Sequence, residues 1–167
     1  PTEEPAKVEV LEFFSYGCPH CSEFYPAFSV WAGKQGADVV VLKVPVSFNG
    51  YFQALAPLYY TLEAMGESAR LDKVVFRTIH QEGNRLIDAK ARSEWAAKNG
   101  LDVKKFDDLY NSFAVNAKVR RAAQMTQLYR VQGVPALAVE GKYLVGGRDF
   151  KETLANADKA IAKARSE

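Results

Sequence analysis

The hydrophobic period of the chain changes twice, and this limits the possible folds more than any other feature. Residues 8–14, Val-Glu-Val-Leu-Glu-Phe-Phe, form a β-branched and aromatic run ending at Ser15-Tyr16-Gly17, as a buried strand does. Cys21, Phe24, Tyr25, Phe28 and Trp31 then fall on one helical stripe, with Gly33 near its end. Pro26 lies inside that stripe. It has no N–H and its ring crowds the carbonyl of Ser22, so a kink is expected there. Val39 to Val44 is a second strand pattern, closed by Pro45. Strand, crossover helix and strand imply a parallel pair.

From Tyr51 to Tyr129 the period is helical throughout. Leu55, Leu58, Tyr59, Leu62 and Met65 keep that spacing until Gly66 stops it. Ser68 is the expected cap of a helix carrying Leu71, Val74, Val75 and Ile79. A segment from Ser93 to Lys98 ends at Asn99-Gly100, and Asp102 is expected to cap a helix bearing Phe106, Leu109 and Phe113. A last helix carries Val119, Ala122, Ala123, Thr126 and Tyr129. Strand patterns return at Val134–Val139 and Tyr143–Val145, joined by the tight turn Glu140-Gly141-Lys142. A final helix has Phe150, Leu154, Ala157 and Ile161 on one face.

The order is therefore βαβ, helical block, ββα. Two such end units sharing one sheet make an α/β thioredoxin fold with an inserted all-helical domain. The boundaries expected are 1–49 and 131–167 for the discontinuous thioredoxin-like domain, and 50–130 for the insertion. A chain of 167 residues, 48% hydrophobic, can bury one sizeable core without disulfide staples. Twenty-two basic against twenty acidic residues leave +2, which gives no reason to expect nucleic acid or a membrane surface as partner. No apolar run approaches the roughly 20 residues of a transmembrane helix. Pro1-Thr2-Glu3-Glu4-Pro5 is a polar leader with no initiator Met. It is expected of a trimmed chain or of one from which a signal has been removed.

Cys18-Pro19-His20-Cys21 opens the first helix, and a C-x-x-C in a βαβ context implies a redox pair. With Cys18 at the N-cap, Pro19 takes the first helical position, where a missing N–H costs nothing. The Cys18 sulfur then accepts from the backbone N–H groups of His20 and Cys21, and the helix dipole favours its thiolate. Cys18 is expected to be the exposed nucleophile and Cys21 its buried partner. Two blander readings compete, a structural disulfide and half a zinc site. A bridge closing two residues removes little chain entropy. Zinc needs four ligands, and the only other histidine, His80, is alone in the helical block. No metal and no cofactor beyond the Cys18–Cys21 disulfide is therefore expected. His20 adds a second positive or hydrogen-bonding group beside the sulfur. A depressed thiol pKa stabilises the reduced protein, so the disulfide is readily given away. A disulfide donor is expected rather than a reductase.

Phe13 to Cys21, Phe-Phe-Ser-Tyr-Gly-Cys-Pro-His-Cys, resembles the active-site run of the DsbA family of bacterial periplasmic thiol oxidases. Gly133-Val134-Pro135-Ala136, followed by Val139-Glu140-Gly141-Lys142-Tyr143, resembles that family's second motif. The likeness covers nearly the whole chain, including the helical insertion. The short leader departs from members that carry an extra edge strand.

The resemblance implies a monomeric thiol:disulfide interchange protein of the periplasm that oxidises folding exported proteins. A membrane quinone-coupled oxidase of the DsbB type would recharge it. It also implies a cis Pro135 facing the cysteines, with the backbone of Val134 left to pair with an extended substrate. Glu12 and Lys43 are charges inside apolar strands, and pairing them is the cheap way to bury both. The resemblance sets them beneath Cys21, where Glu12 takes or returns a proton. Tyr16 and Gly17 flank the sulfur and are expected to shape the peptide groove. Lys118, Arg120 and Arg121 are expected to be a solvated helix face. The competing functions are a thioredoxin-like reductase or isomerase, and a metal-binding or chaperone module with an idle cysteine pair.

Overall fold

The computed structural model describes residues 7–167, so the leader and any edge strand within it lie outside the described residues. β1 (Val8–Phe14) leads through a short turn into α1 (Pro19–Gly33) and then β2 (Val39–Pro45). Five helices follow: α2 (Gly50–Ala64), α3 (Ser68–His80), α4 (Ala89–Lys98), α5 (Val103–Tyr110) and α6 (Phe113–Leu128). The chain then returns through β3 (Ala136–Val139), β4 (Tyr143–Val145) and α7 (Phe150–Arg165). The fold is α/β, a thioredoxin-type sheet with a helical insertion between its two halves.

The four strands lie in the order β2-β1-β3-β4. β1 runs parallel to β2, from Val8 opposite Val39 to Phe14 opposite Pro45, and antiparallel to β3. Successive residues of a strand face opposite sides. Val8 and Val10 join Phe24, Phe28 and Trp31 of α1 and Ala157 and Ile161 of α7 in one core layer. Leu11 and Phe13 turn the other way, onto Ala122 of α6 and Val131. A third cluster runs from Phe14 and Tyr16 through both cysteines into the helical block. The same alternation puts Glu12 and Phe14 on the α1 side of β1.

The turn after β3 shows why its residues were legible. Glu140 and Gly141 have φ of 55° and 68°, and the Lys142 N–H donates to the Val139 carbonyl at 3.1 Å. Two central residues with positive φ make a type I′ turn, whose twist matches that of the strands.

Several helix starts differ from those expected. Ser68 is the first residue of α3, and Glu67 before it makes no side-chain cap. α4 begins at Ala89 rather than near Ser93, because the Asp88 carboxylate accepts from the Ala91 N–H at 2.8 Å. Asp102 does cap α5, accepting from Lys105 at 3.1 Å. The Ser112 hydroxyl caps α6 through Val115, which separates Phe113 from Phe106 and leaves it 83% exposed. β3 starts at Ala136 rather than Val134, after a cis Val134–Pro135 peptide. Helix α1 runs as one element through Pro26.

Candidate active site

Cys18 is the N-cap of α1, with extended backbone (φ −89°, ψ 119°) that points its side chain back at the first turn. The Cys21 N–H donates to the Cys18 Sγ at 3.4 Å, and Pro19 fills the position where no donor is needed. Both cysteines are free thiols here. Cys18 is less open than expected, only 6% exposed against 1% for Cys21. Part of its cover is the carbonyl of Val134, which accepts from the Cys18 Sγ at 3.6 Å.

The Cys18 thiol is lowered to about 6. The largest cause is the hydrogen bond from the Cys21 thiol; burial opposes it, and the N–H groups of Cys21 and His20 and the charge of His20 add to it. Cys21 moves the opposite way, far above the usual thiol range, because it donates to Cys18 and is buried. The pair is thus divided into one acidic sulfur and one that holds its proton. His20, expected to be the deciding group, is the smallest of the named contributors. Its ring is 74% exposed and its Nδ1 lies 3.4 Å from a Glu23 carboxylate oxygen.

Glu12 is 3% exposed on the α1 side of β1, and burial raises its carboxyl to about 7. Lys43 lies directly opposite it in the β1–β2 register. The expected Glu12–Lys43 pair is not the contact that forms. Lys43 Nζ instead lies 2.9 Å from Asp72 of α3, a helix packed on α1 and α2 that brings a second carboxylate to the ammonium. Burial opposes the Lys43 charge, but Asp72 and Glu12 outweigh it and hold the amine above the usual lysine range.

Tyr16, expected in the peptide groove, points inward and is 2% exposed. Its hydroxyl donates to Asp72 at 2.5 Å, and its ring meets Phe76 edge-on at 5.3 Å. The Tyr16 carbonyl lies 2.7 Å from His80 Nε2, which must carry the proton since a carbonyl only accepts. Asp72, Phe76 and His80 are four residues apart on α3, so one face of that helix holds Tyr16 by hydroxyl, ring and carbonyl. Gly17 is pressed from α2: a Cβ there would meet the Tyr51 ring at 2.7 Å. Sequence reasoning missed Asp72, although an acid in phase with the apolar face of an amphipathic helix was a signal for it.

A family model for the DSBA-like thioredoxin domain matches residues 9–157. The chain belongs to the DsbA family. The thiol:disulfide interchange protein DsbA of Bordetella parapertussis is 43% identical over 99% of this chain and 80% of its own length. That of Pseudomonas aeruginosa is 37% identical over 99% and 80%. The crystal structure of Pseudomonas aeruginosa DsbA superposes with a TM-score of 0.94, covering 99% of this chain and 88% of that one. As a DsbA-family thiol:disulfide oxidoreductase, the chain has its redox pair at Cys18 and Cys21. Among the described residues no cluster of His, Cys, Asp and Glu is fit to hold a metal.

Proposed function

We propose that this chain donates the Cys18–Cys21 disulfide to reduced cysteines of exported proteins as they fold in the periplasm. The observation that carries this reading is the division of the pair: an acidic Cys18 sulfur at a helix N-terminus over a buried Cys21 that keeps its proton. A client thiolate attacks the Cys18 Sγ, and Cys21 departs as a thiolate that is protonated by Glu12. A second client thiolate then attacks the mixed disulfide, and Cys18 leaves as a stabilised anion, which is why the client departs oxidised. Pro19 keeps the helix start free of a competing donor, and His20 adds charge at the rim. Lys43 lies opposite Glu12 in the sheet register, but its ammonium is engaged by Asp72. The backbone at Val134 and Pro135, beside the Cys18 sulfur, is suited to an extended client by strand addition.

The dithiol left behind is reoxidised by a membrane quinone-coupled oxidase of the DsbB type, as membership of the family suggests. No helix of the described residues is long and apolar enough to cross a membrane. The test is the equilibrium potential of the pair against glutathione. A donor should lie well above the roughly −270 mV of thioredoxin. A value near that figure would favour the reductase reading instead.

A further inference from the structure

Lys43 is one ammonium placed between two buried carboxyl groups. Glu12 is its register neighbour on the same face of the sheet, yet the direct contact goes to Asp72 at 2.9 Å. The other Asp72 oxygen accepts the Tyr16 hydroxyl at 2.5 Å, and the ammonium also sits over the Tyr25 ring at 4.9 Å. Glu12 and Asp72 are 3% and 4% exposed, so solvent screens both only weakly.

We propose that Asp72 is a positioning residue for disulfide exchange: by anchoring Lys43 and Tyr16 it keeps the ammonium from closing on Glu12, and so leaves the Glu12 carboxyl able to pass a proton to Cys21. The proposal rests on the proton-donor reading of Glu12 given above. One cation cannot pair fully with two buried carboxylates, and the one without it favours its neutral form. Asp72 has two partners and takes the charge. Glu12, pushed to about 7 mainly by burial, with Lys43 opposing and Asp72 reinforcing, is still about half protonated at neutrality. The ionisable groups packed around this cluster are Cys21 and Tyr25 from α1, Lys43 from β2, Tyr59 from α2, Asp72 from α3, and Tyr16. Without the Asp72 charge, the nearest anion for Lys43 is Glu12 itself. The carboxyl would then ionise and have no proton to give.

The step balances. The client thiolate bonds to the Cys18 Sγ, the Cys18–Cys21 bond breaks, and Cys21 takes its electron pair. The Glu12 proton then moves to the Cys21 Sγ and leaves a carboxylate.

The experiment is single-turnover transfer from the oxidised full chain to a reduced two-cysteine peptide, from pH 5 to pH 8. It compares the unmodified protein with Asp72→Asn, Glu12→Gln and the double variant Asp72→Asn, Lys43→Met. For Asp72→Asn we expect a rate near that of the unmodified protein at pH 5 and about one-fifth of it at pH 7, the fall in the protonated fraction of Glu12 when its pKa drops by about one unit from about 7. The double variant has no ammonium to capture Glu12 and no unpaired buried charge. It should return to within about twofold of the unmodified rate at pH 7, whether or not the single variant folds. A deficit in Asp72→Asn that is the same at every pH, or a double variant no faster at pH 7 than about a fifth of the unmodified rate, would overturn the proposal. Glu12→Gln separates the two readings. If it matches the unmodified protein at all pH values, the donor role of Glu12 fails and the proposal fails with it. If it is slow while Asp72→Asn shows no pH dependence, only the role of Asp72 fails.

Discussion

Cys18 owes its acidity first to its partner sulfur, and this orders the effects of substitution. Thiolate absorbance of the reduced protein should give a midpoint of about 6, with no second midpoint from Cys21 in the accessible range. Cys21→Ala removes the largest contributor and should raise the Cys18 midpoint more than His20→Ser does. The His20 change should amount to less than about one unit, because the ring is exposed and solvent screens its charge. The reverse order would mean that the rim charge, not the buried thiol, holds the anion. His20 drew attention in the sequence because it lies inside the motif. Asp72 and His80 lie outside any motif, 50 or more residues from the site in sequence, and reach it only through the packing of α3.

At the scale of elements, what was legible is what local rules determine. β1, α1 and β2 follow from period, and the β3–β4 turn follows from its glycine. Helix starts were less legible, since Asp88 and Ser112 are caps whose role shows only once the chain turns there. The Lys43–Asp72 contact was not legible at all, because two charges inside apolar strands argued for pairing Lys43 with Glu12, and only the placement of α3 decides otherwise. Close packing of α2 on the active-site turn makes a prediction. Gly17→Ala puts a methyl 2.7 Å from the Tyr51 ring and should cost about 1–3 kcal/mol by urea denaturation. Adding Tyr51→Ala should recover part of that loss. Pro26 is exposed within α1 and leaves the Ser22 carbonyl without its helical donor. Pro26→Ala should therefore raise the denaturation midpoint, by an amount equivalent to at most about 3 kcal/mol. An unchanged midpoint would mean that the loss of the ring's restraint on the unfolded chain cancels the gain.

For the whole molecule, the two redox forms should differ in stability in a pH-dependent way. The Cys18 value is depressed on folding, so its contribution to the reduced form is complete above the unfolded value, near 9, and fades as pH falls through about 6. At pH 7 it is on the order of 1.4 kcal/mol, about 30 mV for two electrons, an upper figure where solvent reaches the sulfur. Glu12 acts in the opposite sense, costing stability as pH rises toward about 7, but it is present in both forms and largely cancels between them. Urea midpoints of reduced and oxidised protein should thus diverge between pH 5 and pH 8, with the reduced form gaining. A constant gap would exclude the Cys18 anion as its source. The grip of α3 on Tyr16 has a practical consequence for protein engineers. A helical block transplanted from a relative would bring its own residues to positions 72, 76 and 80, and these must suit the host's Tyr16 and Lys43. Such chimaeras will behave as interchangeable parts only when that small set travels together. Those that split it should fold yet transfer disulfides with the wrong pH response.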